Sequence, residues 1–338
     1  MGEASTDRSR RVGFALRDPL PWGELVEIVR TGERAGYEAV FVPEIAGREA
    51  FATLAGLAGR TSTLRLGTGV ATIDARRLSA TAMGAATVHE LSGGRLILGL
   101  GTGPAGPGSL ERLRRSVGPL RRMLASEAVE LQSGERFQLT LQAGPEPVPI
   151  WIAALGPRAM RLAGEVADGV LLNWCPPERV AFARERIREG AEGAGRDPSA
   201  ITVAVYVRAC VGQESEPSMA VLRATAGQYA TYPTYRRQFE AVGLREEAAA
   251  AAAAFEAGRP EGVPEAMVRR VCLLGEPREA ALRLGRIPGG RRGPNHRLPR
   301  AGAGRSFLDP GHVVSAGAAP GHRSLTGTLG LRRGARVV

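Results

Sequence analysis

The stretch from Leu64 to Gly103, LRLGTGVATIDARRLSATAMGAATVHELSGGRLILGLGTG, constrains the fold more than any other part of the chain. Leu64, Leu66 and Val70 form a short apolar run closed by glycines, which predicts a strand. Ser79 is an expected N-cap for a helix running to Leu91, and Gly93-Gly94 is a stop signal behind it. Leu96–Leu100 is then a continuous apolar run, as expected of a parallel strand covered on both faces. Both strands end in small residues, at the edge where α/β folds bind their ligands.

The same alternation extends along the chain. Strands are expected at Val12–Leu16, Ala39–Val42, Ile150–Ala154, Gly169–Leu172 and Thr202–Val211, and helices at 21–36, after a loop through Gly47 to Arg60, and at 109–124, 157–167, 177–194 and 216–257. A hairpin is expected around Ser133-Gly134. Seven strands separated by helices imply βαβ units and a parallel sheet, one unit short of a (β/α)8 TIM barrel. The helix at 277–286 should deliver the eighth strand, but the sequence continues as IPGGRRGPNHRLPRAGAGRSFLDPGH, without an apolar period. The expectation is therefore three segments: a disordered arm at 1–11, a barrel at 12–286, and a Gly/Pro/Arg-rich tail at 287–338. The tail is either disordered or the product of a frameshift that replaced the last βα unit.

Charge narrows the partners. The chain of 338 residues carries a net charge of +11, but residues 287–338 hold nine arginines and a single acid, leaving only +3 for residues 1–286. Lysine is absent altogether, so the arginine excess reflects coding bias, and no nucleic-acid partner is expected. No apolar run reaches the ~18 residues that span a bilayer. The three scattered cysteines, Cys175, Cys210 and Cys272, fit no metal spacing and suggest a reducing, cytoplasmic setting.

Several motifs could carry chemistry. Gly101-Thr-Gly-Pro-Ala-Gly106 matches G-x-G-x-x-G, yet at least three strands precede it and two prolines delay the following helix, which argues against a dinucleotide fingerprint. Pro149–Pro157 is better placed: a buried strand ends at Ala153-Ala154, Gly156 allows a close turn, and a helix start offers free N–H groups to a phosphate. The alternative is an ordinary βα turn. Glu44 and Arg48 follow the second strand, and Thr72, Asp74, Arg76 and Arg77 the third, each at the ligand edge or in a solvated loop. His89, alone before the tail, is expected at the surface or behind the site. No Ser/His/Asp order, H-E-x-x-H or P-loop occurs, which directs the chemistry to a bound cofactor.

The segments GYEAVFVPE, LRLGTGV, TAMGAATVHELSGGRLILGLGTG and PIWIAALGPRAMRLAGEVADGVLL resemble the bacterial luciferase-like superfamily over roughly residues 12–286. Within it they are most similar to enzymes using the deazaflavin coenzyme F420, such as methylenetetrahydromethanopterin reductase. The resemblance implies a (β/α)8 barrel with the cofactor at the carboxyl ends of the strands, here with the eighth unit missing or replaced. It places Thr68, Gly69 and Val70 at a bulge behind the cofactor ring, often with a non-proline cis peptide. Thr72 falls where relatives often have an Asn that contacts the ring. Gly101, Thr102 and Gly103 match the flanking loop, and Ala154, Gly156, Arg158 and Ala159 the phosphate-binding segment. Glu44 occupies the position where relatives place acidic or His residues near substrate, and is the candidate for proton transfer or substrate orientation.

The expected function is hydride transfer between the deazaflavin and a small organic substrate, with no metal. Two alternatives stand beside it: an FMN-dependent luciferase-like monooxygenase, and a barrel that is non-catalytic or defective. A homodimer is compatible with either enzymatic reading.

Overall fold

The computed structural model describes residues 12–285, apart from 17–19, 104–105, 132, 143 and 213–215. The expected arm at 1–11 and tail at 287–338 lie outside the described residues.

The chain alternates strand and helix as β1 (Gly13–Ala15), α1 (Trp22–Arg34), β2 (Ala39–Val42), α2 (Ala50–Ala58), β3 (Arg65–Thr68), β4 (Ala71–Thr72), α3 (Leu78–Leu91), β5 (Leu96–Gly101) and α4 (Ser109–Leu124). A short antiparallel hairpin, β6 (Val129–Glu130) with β7 (Arg136–Phe137), follows where Ser133-Gly134 predicts a turn. Then come β8 (Ile150–Ala153), α5 (Pro157–Val166), β9 (Gly169–Asn173), α6 (Pro177–Gly193) and β10 (Thr202–Tyr206). The parallel sheet runs β1-β2-β3-β5-β8-β9-β10, with β4 also pairing β5. Seven consecutive parallel strands are thus in place, and among the described residues no eighth lies between β10 and β1.

Period-2 alternation sorts each strand between two environments. Val40, Val42, Leu96, Leu98, Ile150 and Ile152 face the helical layer and join one large core. Ala39, Phe41, Ile97, Trp151 and Leu171 point the other way and fill the barrel interior. The rings of Phe41 and Trp151 lie 5.8 Å apart. They fit because the neighbouring inward position is glycine: a Cβ on Gly169 would sit 2.5 Å from the Trp151 indole. This interior is a packed core, so a ligand must enter above it, at the carboxyl rim.

The S-G-G-R part of the Leu64–Gly103 block is structural. Gly93 and Gly94 both have positive φ, which releases Arg95 from the end of α3. Its guanidinium donates to the carbonyl oxygens of Ala58, Thr61 and Leu64 at 2.7–2.9 Å, tying α2, β3 and β5 together at the amino end of the barrel.

Two expectations need correction. The strand predicted over Thr202–Val211 is two: β10 ends at Tyr206, and β11 (Ala209–Val211) leaves the barrel sheet to pair in parallel with β12 (Leu273–Gly275). Helix α3 starts at Leu78 with Arg77 as N-cap, so Ser79 lies inside its first turn. Between β11 and β12, α7 (Glu216–Thr231), α8 (Pro233–Glu240), α9 (Arg245–Glu256) and α10 (Glu265–Val271) pack around a separate core that includes Trp174, Tyr229, Phe239 and Met267. Helix α11 (Pro277–Gly285) closes the described residues. No helix among them is long and apolar enough to cross a membrane.

Candidate active site

The carboxyl rim gathers the ends of β2, β3, β5, β8, β9 and β10. At β3 the strand stops at Thr68, whose fully buried hydroxyl donates to the Gly99 carbonyl at 2.7 Å. Thr68 therefore pins β3 to β5 through its side chain. The Gly69–Val70 peptide is cis, as the resemblance implies, and the chain then re-pairs with β5 through Ala71↔Leu100 and Thr72↔Gly101. This interruption is the bulge, and it leaves Gly69 and Val70 on the barrel's inner side. The Thr102 hydroxyl donates to the Gly103 carbonyl at 3.1 Å. Gly103 has φ +70°, and a Cβ there would lie 3.6 Å from the Thr72 Cβ. Thr72 and the Gly101–Gly103 loop are accordingly neighbours.

Glu44 follows β2 and meets Arg76 in a two-pronged ion pair: Nη1 donates to Oε2 at 3.0 Å, and Nη2 donates to Oε1. The Ala50 N–H adds a third bond at 3.2 Å. Arg76 also reaches Glu49 at 2.8 Å and lies 5.0 Å from the Phe51 ring centre. Burial alone would raise the Glu44 pKa, but the hydrogen bonds from Arg76 and Ala50 outweigh it and hold the carboxyl below its usual range. Glu44 is thus a committed carboxylate that joins the β2 and β3 loops, which suits orientation and electrostatics better than proton transfer.

At β8, the Ala154 N–H bonds to Leu171 O at 3.1 Å, and Gly156 caps α5. No side chain caps this helix, Pro157 occupies its first turn, and a Cβ on Gly156 would meet nothing within 4 Å. The N–H groups of Arg158 and Ala159 lie in the first turn of α5, which has no side-chain cap, at the positive end of the helix dipole, and the Arg158 side chain is exposed.

Sequence reasoning overlooks the far side of the rim. Asn173 donates to the Tyr235 hydroxyl at 2.9 Å and accepts from Arg208. The Arg208 guanidinium stacks 4.1 Å from the Trp174 ring centre and 4.9 Å from that of Tyr229. Gln238 donates to the carbonyls of Asn173 at 2.5 Å and Trp174 at 2.8 Å, docking α8 onto the end of β9. Trp174 takes φ +54° to turn its buried ring into the helical core. Burial pushes the adjacent Cys175 thiol up to about 12, which keeps it protonated and unreactive. The available signal was the polar and aromatic trio Asn173-Trp174-Cys175 directly behind a strand.

His89 is fully buried, not at the surface, with Nε2 3.0 Å from the Glu146 carbonyl. Burial lowers its pKa and keeps the ring neutral. Among the described residues, no three His, Cys, Asp or Glu side chains converge on a metal-sized site.

The described residues thus form a parallel β/α barrel whose carboxyl rim carries a strand bulge, a glycine-rich loop and a helix N-terminus without a side-chain cap. Comparison with known proteins makes this specific: the chain belongs to the luciferase-like monooxygenase family, which it matches over residues 7–287. It is 33% identical over 224 residues to the 5,10-methylenetetrahydromethanopterin reductase of Methanolobus tindarius, covering 62% of this chain and 67% of that protein. The reductase of the same name from Archaeoglobus fulgidus is 29% identical over 219 residues, covering 61% of this chain and 66% of that protein. The matched segments thus span about two thirds of each reductase. Among solved structures, the fold is shared with the coenzyme F420-dependent tetrahydromethanopterin reductase of Methanopyrus kandleri (TM-score 0.67, 20% identity, 82% of this chain and 89% of that one). It is also shared with an F420-dependent secondary alcohol dehydrogenase bound to an F420-acetone adduct (TM-score 0.66, 19% identity, 82% and 89%). A Baeyer-Villiger monooxygenase from a Pseudomonas putida plasmid, in complex with FMN, has a TM-score of 0.61 at 14% identity, over 83% of this chain and 90% of that one.

Proposed function

We propose that the chain is a coenzyme F420-dependent oxidoreductase acting on a small organic substrate. The observation that carries this reading is the juxtaposition, on one rim, of the β3 bulge with the uncapped N-terminus of α5. The chain is 33% identical over 224 residues to a reductase from Methanolobus tindarius, and the fold is shared with two enzymes described as F420-dependent.

The residues fit such a group. The open space in front of Gly156 and the N–H groups of Arg158 and Ala159 suit a phosphate. Val70, Thr72 and the Gly101–Gly103 loop offer a mouth of small side chains to a flat ring. When bound, the deazaflavin supplies the hydride chemistry. The protein's part is to anchor the phosphate at α5, to keep the ring on the Gly69–Val70 side of the mouth, and to exclude water over the apolar Phe41–Trp151 floor. Glu44 and Arg76, as an ion pair, hold together the two loops that border the mouth.

We take residues 12–286 as the barrel unit, a small molecule as the substrate and the cytoplasm as the setting. A homodimer is supported by the outer face of α2 and α3. Met83 and Leu91 are exposed on α3, and Glu90 is the only exposed charge on either helix. Equilibrium titration of the purified full chain with F420 and, separately, with FMN tests the proposal. Saturable F420 binding supports it; tight FMN binding without F420 binding selects the monooxygenase alternative; folded protein that binds neither selects the non-catalytic one.

A further inference from the structure

The parallel sheet curls almost into a ring. Ala15 of β1 and Ala204 and Tyr206 of β10 share one interior with Phe41 and Trp151. Tyr206 reaches across it, with its ring 5.9 Å from that of Phe41 and its hydroxyl against Gly69. One seam is open among the described residues: β1 pairs only with β2, and β10 only with β9.

Backbone directions show what the seam offers. Residues along a parallel strand turn their N–H and C=O groups alternately to the two sides. The Val12 carbonyl accepts from Glu38 and the Leu16 N–H donates to Phe41, both on the β2 side, so Gly13 and Ala15 turn their peptide groups to the seam. The Thr202 N–H donates to Asp168 on the β9 side, so Val203 and Val205 turn theirs to the seam. No partner among the described residues takes these groups. The side chains of Val203 and Val205 are only half-buried, whereas the outward residues of β2, β5 and β8 are buried. Two facing rows of unpaired peptide groups beside half-covered valines form a template for one more strand.

The chain carries a sequence of that kind behind α11. Gly311–Gly317, GHVVSAG, opens on the turn pair Pro310-Gly311, has two β-branched residues in succession and ends in small ones. The same small-residue ending closes β3 at Gly67-Thr68-Gly69 and β8 at Ala153-Ala154. Strand alternation would put one valine outside with Val203 and Val205, and the other inside with Ala15 and Ala204. The connecting residues 286–310 can span up to about 80 Å, against about 17 Å for a five-residue strand, so the tether permits the docking.

We propose that His312–Ala316 of the chain's own C-terminal segment dock in this seam as an eighth strand, parallel to β1 and β10. The docking is independent of any cofactor.

Hydrogen exchange read by mass spectrometry on the full chain tests it, over peptides covering 12–16 and 202–206. Val313→Pro removes a ladder donor from a strand that would be paired on both sides. The seam-facing amides should exchange at least about tenfold faster in this variant than in wild type, and its melting temperature should fall by about 5 °C. Val313→Gly should shift both readouts the same way by less, which keeps the comparison if the proline variant does not fold. Leu329→Pro, in the other apolar stretch of the segment, should match wild type. Rapid exchange at both edges in wild type, wild-type behaviour of the Val313 variants, or the same loss in Leu329→Pro overturns the proposal. So does protection that fades on dilution, which would put a second copy's segment in the seam.

Discussion

Replacing Arg76 with Met leaves the side-chain stem in place and removes the charge that holds Glu44. The structure sets the size of the loss. The Arg76 and Glu44 side chains are 19% and 12% exposed, so their pair lies between a surface bridge, contributing up to about 1 kcal/mol, and a fully buried one, whose disruption costs about 3–5 kcal/mol. The bond to Glu49 adds little because that side chain is 46% exposed. The stacking on Phe51 adds about 0.5 kcal/mol. A destabilisation of about 2–3 kcal/mol near neutral pH is expected from urea unfolding. The pH dependence gives a second reading. The folded-state pKa of Glu44 lies below its unfolded value, so its contribution is complete above about pH 4.5 and is lost as pH falls through the lowered folded value. The gap between wild type and Arg76→Met should therefore be constant from pH 8 to about 5 and shrink below that. A loss under about 0.5 kcal/mol at neutral pH, or a gap that widens on acidification, would refute the reasoning.

Thr68→Val removes the buried bond to the Gly99 carbonyl and should cost about 1–2 kcal/mol in urea unfolding, whereas Thr68→Ser should recover most of it. A valine variant as stable as wild type would remove Thr68 as the pin between β3 and β5. His89 has a folded pKa below its unfolded value, so the neutral buried ring stabilises the fold above about pH 6.5, and that contribution is lost as pH falls toward the lowered value. His89→Gln should accordingly show a flatter melting temperature between pH 7 and 5 than wild type, as read by differential scanning calorimetry; parallel curves would contradict the assignment.

The barrel was legible because its information is local. Strands such as Leu96–Gly101 and Ile150–Ala153 are short apolar runs ended by small residues, and the helices between them carry their own stop signals. The Gly156 helix start was legible for the same reason. What escaped depends on long-range contacts. Thr202–Val211 is apolar on both sides of a single charge, Arg208, and the pairing of its second half with Leu273–Gly275, some 60 residues away, divides it. Leu273–Gly275 is too short to announce itself between two helices. His89 looks exposed next to Glu90, and its burial depends on a segment 57 residues later that brings the Glu146 carbonyl to it. Tyr206 looks like one more strand aromatic until the barrel sets its hydroxyl against Gly69. The Glu44–Arg76 pair likewise joins two loops that are 32 residues apart in sequence.

The central claim is that the rim anchors an anionic deazaflavin at the uncapped start of α5, and Gly156→Asp tests it most directly. The new side chain has open space and becomes a good N-cap, so the apo protein should be as stable as wild type or slightly more so. The same carboxylate would occupy and repel the phosphate position. The account predicts micromolar or tighter F420 binding by wild type, in the range of about −8 kcal/mol or better, and at least about tenfold weaker binding by the variant at unchanged melting temperature. Equal F420 affinity in both proteins would contradict it.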